Sequence, residues 1–498
     1  MFLAAVVYSE PTLITYGFLV LAVLLALGFE FVNGFHDTAN AVATVIYTNT
    51  LKATPAVVWS GVWNLIGVLA SSGLVAFGIV SLLPVELVLN VGSAAGFAMV
   101  FSLLISAILW NVGTWYLGLP ASSSHTLIGS IIGVGVASAL MGPTRSISEG
   151  VNWVKAGEVV MGLLISPLVG FLASALLLLL CKALIKRPSL YRAPKGDTPP
   201  PLWIRAILVV SSTGVSFAHG SNDGQKGMGL IVLILVGILP ATYALKLSAP
   251  QATVAEVAMS AKALGTVFDK LASDAAITEQ ESRTTLTSYL KSSMKPTESV
   301  FRALVFQCED LSRRLGPLKS LEDLPPNERG SVRADIYLIS KTTAKMEKSG
   351  VLTDPATMGL TARLRTTGGE VSNFIPDWVK YAVALALGLG TMIGYKRIVV
   401  TVGEKIGRHH MTYAQGGAAG LVAMSTILIA SHYGFPVSTT HVVTSGVAGT
   451  MAANKSGLQR ATLRNILLAW VLTLPVCIFL GAVLFAFGLN VIALLGLR

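Results

Sequence analysis

Gly118-Leu119-Pro120-Ala121-Ser122-Ser123-Ser124-His125 and Gly434-Phe435-Pro436-Val437-Ser438-Thr439-Thr440-His441 are two copies of one motif, 316 positions apart. In each, Gly-x-Pro stops one apolar segment and three hydroxyl residues open the next. A second pair accompanies them: Asn33-Gly34-Phe35-His36-Asp37 returns 186 positions later as His219-Gly220-Ser221-Asn222-Asp223. The two offsets differ by 130, close to the 128 residues of a polar stretch at 246–373, so that stretch is an insertion within the second copy. Two copies of one membrane unit, each with an interrupted helix, predict a secondary transporter whose site lies where the copies meet.

The rest of the chain agrees with this class. Of its 498 residues 53% are hydrophobic and 12% charged, with a mean hydropathy of +0.70, whereas a soluble domain carries about 25% charged residues. Residues 246–373 hold 32 of the 61 Lys, Arg, Asp and Glu, 17 basic against 15 acidic, so the net charge of +11 arises elsewhere. Lys182, Lys186, Arg187, Arg192 and Lys195 oppose the single acid Asp197, and a short basic loop of this kind reads as cytoplasmic. No basic segment is interleaved with stacking aromatics, so nucleic acid is not an expected partner. Cys181, Cys308 and Cys477 form neither a CxxC nor a paired framework, and read as packing thiols. The first apolar stretch lacks a signal-peptide cleavage pattern and is taken as a retained helix.

Apolar segments run at 12–35, 53–82, 91–117, 156–186, 202–221, 228–245, 376–395, 412–432 and 463–496, each near or above the ~20 residues needed to span a bilayer. Three stretches, 34–50, 118–141 and 434–454, are shorter or interrupted by Gly, Pro and polar residues. Such broken segments survive in lipid only where protein or a water-filled cavity satisfies the freed backbone. The expected organisation is a first repeat at 1–201, the start of a second at 202–245, a soluble, cytoplasmic, helical insertion at 246–373, and the remainder of the second repeat at 374–498. The segment Lys396–His410 has no assignment on this reading.

An aspartate inside an apolar span is costly unless a cation, a proton or a polar partner compensates it. Asp37 and Asp223 each follow a glycine by three positions in both copies, which favours a shared role as coupling-ion carboxylates over two helix caps. Ser122, Ser123, Ser124, Ser438, Thr439 and Thr440 stand where a broken chain restarts as a helix. Their hydroxyls and the free backbone N–H groups there converge with the positive end of the helix dipole. That arrangement is an oxyanion cradle, although serine in membrane helices also serves as a small packing residue. His125 and His441 follow the cradles, placed to relay protons or to be satisfied by a neighbouring helix. Two carboxylates repel an oxyanion unless protons or cations intervene, and phosphate, with a second pKa of about 6, carries a proton that sulfate cannot. No HExxH, Walker loop or nucleophile elbow is present, so neither an enzyme nor a cofactor is expected. Ser124 and His125, being adjacent on a helix, do not face each other as a hydrolytic pair.

On these residues the chain resembles the Pit family of inorganic phosphate transporters, its bacterial low-affinity members above all. The resemblance implies an all-α polytopic membrane protein of two inverted repeats with re-entrant hairpins, and cation-driven phosphate import across the bacterial cytoplasmic (inner) membrane. It further implies that phosphate travels free or as a neutral complex with a divalent metal, bound by the six hydroxyls with Asp37 and Asp223 beside it. The family's Asp motif reads Gly-Ala-Asn-Asp, two residues, then Asn. Here His36 replaces the first Asn and Asn40 keeps the last, while Asn222 is kept and Lys226 stands at the trailing position. Amide oxygens suit sodium, whereas an ammonium neutralises a carboxylate and repels a metal cation. Lys226 therefore argues for proton symport if it faces Asp223 rather than snorkelling to the interface. Sodium symport, a sulfate carrier and a passive anion channel are the alternatives. Phosphate, protons or sodium, and the bilayer are the expected partners, a homo-oligomer is compatible, and no metal ligand is assigned.

Overall fold

The computed structural model describes residues 12–83, 93–142, 147, 150–194, 198–291 and 294–494. Lys195 and Asp197 of the basic loop, and the first eleven residues, lie outside the described residues. The elements are helical: α1 (Leu13–Tyr47), α2 (Ala53–Leu69), α3 (Leu74–Val80), α4 (Ala94–Tyr116), α5 (Ser123–Met141), α6 (Trp153–Leu184), α7 (Leu202–Ile238) and the single turn α8 (Pro240–Tyr243). There follow α9 (Gln251–Asp269), α10 (Glu279–Lys291), α11 (Glu298–Leu315), α12 (Pro326–Lys348) and α13 (Pro355–Ser372). The chain closes with α14 (Asp377–Thr391), α15 (Lys396–Glu404), α16 (Tyr413–His432), α17 (Thr439–Ala453) and α18 (Arg460–Leu494). Seven of the described helices are long and apolar enough to cross a membrane, or nine if each of two bent pairs is one span.

Two compact units form. One comprises 20–83, 97–231 and 376–498; the other is built on 232–375 with the described parts of 1–19 and 84–96. In the first, Leu164, Leu168, Leu172 and Leu176 make a stripe of leucines, each more than half exposed, along α6. That stripe is where lipid belongs. The interruptions fall where glycine permits them. α2 and α3 meet at 77° at Gly73 (φ 83°), and α14 and α15 meet at 65° near Gly394 (φ 77°), a left-handed backbone that glycine adopts without steric cost. The hairpins α4–α5 and α16–α17 turn through Gly118 (φ 67°) and Gly434 (φ 71°), and Ser122 and Ser438 cap the helices that follow.

Two expectations change. The interruption near 34–50 is absent and the two apolar segments 202–221 and 228–245 are joined through one helix, because α1 and α7 run unbroken through both Asp motifs. Intrahelical bonds satisfy the backbone there, and the polar side chains find partners on other helices, so no chain break is required. The motif glycines instead set helix proximity. A Cβ on Gly34 would strike the carbonyl of Leu387 in α14, and one on Gly220 would strike that of Asn64 in α2. The unassigned Lys396–His410 holds α15, which braces the first hairpin: Thr401 Oγ1 donates to Gly118 O (2.8 Å) and Arg397 Nη1 to Tyr116 O (2.6 Å).

The second unit packs α9 to α13 around its own apolar core, including Val257, Leu264, Phe268, Leu304 and Ile339. Asp335 is fully buried within it and accepts from Arg283 Nη2 (2.7 Å) and from Arg314, with Ser331 Oγ also taking a bond from Arg283 Nη2 (2.7 Å). Removing the acid takes the buried partner from two guanidiniums, leaving Arg283 only Glu279 and Arg314 only Asp310 as carboxylate partners, a loss of about 3 kcal/mol. In Asp335→Ala, amide hydrogen exchange across α10 to α12 should accelerate, while an exposed pair would contribute less than about 1 kcal/mol and leave exchange unchanged.

Candidate functional site

Asp37 sits in the middle of α1 and Asp223 in the middle of α7, both buried. Neither caps a helix. Asp37 accepts from Thr440 Oγ1 at 2.7 Å and Thr439 Oγ1 at 3.2 Å, across some 400 positions of sequence, and His36 Nδ1 lies 3.1 Å from its Oδ1. Ser123 Oγ stands between the carboxylates, 3.2 Å from Asp37 Oδ2 and 3.4 Å from Asp223 Oδ2. The starts of α5 and α17 therefore converge on the two Asp motifs.

Lys226 does not snorkel. It is fully buried, one turn beyond Asp223 on α7, with Nζ 2.7 Å from Asp223 Oδ2 and donating to Ser124 Oγ at 2.5 Å. Ser124 Oγ passes the chain on by donating to Val437 O at 2.8 Å, in the opposite hairpin. One cation thus neutralises one of the two carboxylates and ties it to both cradles.

The remaining residues divide. Asn40 Nδ2 donates to Thr440 Oγ1 at 3.0 Å, joining the cluster. Asn222 Nδ2 turns away to Ser431 Oγ (2.9 Å) and Phe435 O (3.2 Å), where it braces the second hairpin. Ser122 and Ser438 spend their acceptor capacity on the backbone N–H groups of His125 and His441. The rings of those histidines pack at a 40° tilt with centroids 4.5 Å apart, and His441 also packs on Trp470 at 4.0 Å. His125 Nδ1 and His441 Nε2 have no hydrogen-bond partner among the described residues. The pair is brought together behind the cradles, not onto the carboxylates.

Three residues join without having been assigned a role from sequence, and a fourth lies beyond the cluster. His219, one turn before Asp223, points Nε2 at both carboxylates, 3.6 Å from Asp37 Oδ2 and from Asp223 Oδ2. Its Nδ1 is 2.7 Å from Asn64 Oδ1, and Asn64 Nδ2 donates to Thr391 Oγ1 at 3.2 Å. Thr114 Oγ1 lies 3.1 Å from His36 Nε2. Glu30, two turns before Asp37 on the same helix, is fully buried outside the cradle. The i,i+4 spacing of His219 to Asp223 and the i,i+7 spacing of Glu30 to Asp37 were legible signals. Asn64 and Thr114 carried none, since only the fold brings them near.

With His219 Nδ1 donating to Asn64 Oδ1, Nε2 faces two carboxylates either as a second N–H or as a lone pair that needs a proton or cation between. Asp37, His219 and Asp223 bring one ligand atom each within 4.8 Å of one another, a spacing that accommodates a single cation. The cluster as a whole offers hydroxyls, two helix N-termini, an ammonium and imidazoles around two carboxylates. It is suited to holding an oxyanion together with positive charge, and it contains no Ser–His pair poised for hydrolysis: Ser124 serves Val437 and Lys226.

The sequence model of a phosphate transporter family matches residues 33–481. The chain is 42% identical over 497 residues to the low-affinity inorganic phosphate transporter PitB of Escherichia coli (strain K12), covering 95% of this chain and 97% of that protein. PitA of the same strain is 42% identical over 493 residues with the same coverage. A probable low-affinity inorganic phosphate transporter of Bacillus subtilis (strain 168) is 26% identical over 474 residues, 95% of this chain and 97% of that protein. A solved structure described as the sodium-dependent phosphate transporter superposes with a TM-score of 0.52 at 19% identity, over 96% of this chain and all of that one. That likeness is one of fold.

Proposed function

From the premise that the chain belongs to the phosphate transporter family, a family of carriers and not of enzymes, we propose that it imports inorganic phosphate by proton symport across a bacterial cytoplasmic membrane. Phosphate sits between the N-termini of α5 and α17, on Ser122, Ser123, Ser124, Ser438, Thr439 and Thr440, with the two membrane copies disposed as inverted repeats about it. The observation that carries the coupling ion is the buried Lys226 ammonium, 2.7 Å from Asp223 Oδ2. It supplies a fixed positive charge where a sodium-driven carrier takes one from its ion, and it raises the electrostatic cost of a metal cation beside it. His219 and Asp37 then take the protons that offset the charge of the phosphate.

A second reading draws on the convergence of Asp37, His219 and Asp223: a divalent metal travels with phosphate as a neutral complex. In that case uptake in proteoliposomes requires the metal and carries it in equal amount.

The proton reading is tested in proteoliposomes. With acid outside and no sodium present, the unmodified protein should accumulate phosphate, and a protonophore should collapse the accumulation. Accumulation only under an imposed sodium gradient would show that the ammonium does not replace the ion.

A further inference from the structure

Glu30 is the one buried acid of α1 that the transport scheme above leaves without work. Its Oε2 takes a long bond from Asn33 Nδ2, 3.5 Å away, its Oε1 has no side-chain partner among the described residues, and the backbone of Gly227 faces the carboxyl. An ionised carboxylate so placed is expensive. Yet the chain makes room for it. A Cβ on Gly227 of α7 would strike Glu30 Cγ and lie 2.6 Å from Oε1, so the acid closes directly on the backbone beside Lys226.

The position belongs to a longer pattern. Along α1, Glu30, Asn33, Asp37, Asn40 and Thr44 are all buried at spacings of three and four, and along α7 so are Ser212, Ser216, His219, Asp223 and Lys226. Ser212 Oγ donates to Ala41 O at 2.8 Å, His219 reaches Asp37, and Gly227 meets Glu30. The two stripes therefore face one another in antiparallel register. Read along that seam, ionisable groups follow in the order His219, Asp37, Asp223, Lys226, Glu30. Of the other helices near this stretch, α5 and α17 reach the seam through Ser123, Ser124, Thr439 and Thr440 and bring His125, which faces Lys226, and His441, which faces Asp37. α2 and α3 contain no ionisable group, and those of α14, which meets α1 at Phe31 and Gly34, are confined to Asp377, Lys380 and Tyr381 at its far end. Glu30 has Lys226 and Asp223 as its charged neighbours on α7.

We propose that Glu30 is a proton-carrying carboxyl of the transport cycle, standing about 10 Å along α1 from Asp37 and serving as the alternative counter-ion for Lys226. While Glu30 holds its proton, Lys226 pairs with Asp223. When the Glu30 O–H bond breaks and its proton passes to water, the carboxylate formed draws the ammonium across, and Asp223, freed of it, takes a coupling proton alongside His219 and Asp37. The charge of the seam falls by one as Glu30 releases its proton and is restored as Asp223 takes the next. This inference rests on the proton-symport reading.

Phosphate–phosphate exchange and gradient-driven accumulation separate the idea from its rivals, since exchange requires the cradle to load and reorient but no net proton release. Glu30→Gln should exchange labelled phosphate at the wild-type rate while accumulation under an acid-outside gradient falls about ten-fold or more. Glu30→Asp, which keeps an ionisable group one methylene shorter, should accumulate with a displaced pH profile. Full accumulation by Glu30→Gln overturns the proposal. Should Glu30→Gln lose exchange as well, Glu30→Asp decides: a displaced profile supports a titrating role, and an unchanged profile at lower rate shows that Glu30 only packs. If the unmodified protein accumulates phosphate solely on a sodium gradient, the symport reading fails and this one falls with it.

Discussion

Asp37→Asn should abolish phosphate accumulation driven by an acid-outside gradient in proteoliposomes, and Asp223→Asn should do the same. Asp37 accepts from Thr439 and Thr440, borders Ser123 and His36, and is approached by His219. Each hydrogen bond to a charged acceptor contributes roughly 1.5 to 3 kcal/mol, so an amide there forfeits several such terms together and cannot titrate. At Asp223 the loss has a different form, because the fully buried Lys226 ammonium loses the carboxylate that lies 2.7 Å from it. The experiment also separates a carrier from a channel. A passive conduit needs only weak binding along its path and would retain flux in both variants. Wild-type accumulation in both would show that the carboxylates are structural.

Lys226→Gln is expected to produce the second large effect, and to produce it on stability as well as transport. Breaking a buried ion pair by removing one partner typically destabilises by about 3 to 5 kcal/mol, because the remaining charge stays in low dielectric. Here the ammonium also donates to Ser124 Oγ, so the link from α7 to the first turn of α5 is lost with it, while Ser124 keeps its own bond to the Val437 carbonyl. The thermal unfolding midpoint of the detergent-solubilised variant, followed by tryptophan fluorescence, should drop, and phosphate accumulation should vanish. Pairing it with Asp223→Asn removes both charges, and the midpoint should recover while accumulation does not. Recovery of both in the double variant would mean that the pair is a structural staple with no part in coupling.

The features that were readable from the chain are those whose cause is local. Gly118 and Gly434 turn left-handed, and Ser122 and Ser438 cap the helices that restart after Gly-x-Pro, because turn and cap chemistry depend on a few consecutive residues. The length and apolarity of the spans, and the polar insertion with its helical spacing, are likewise properties of short windows. The same reasoning misjudged the Asp motifs. Polar residues in an apolar run suggested interrupted helices, whereas α1 and α7 continue because their side chains are satisfied by helices far away in sequence.

What the sequence by itself determined is the class of the protein and the residue types its site must contain, through two repeated motifs and their departures at His36 and Lys226. Which charge answers which was decided only by the tertiary structure. Nothing within a few residues of Asp37 announces Thr440, and nothing near Asn64 announces His219. The same holds for the contact between Glu30 and Gly227, for Asn222 turning to the hairpin, and for the ring contact of His125 with His441. Neutralising a buried charge depends on distance in a low-dielectric interior, and that distance is set by how the helices cross.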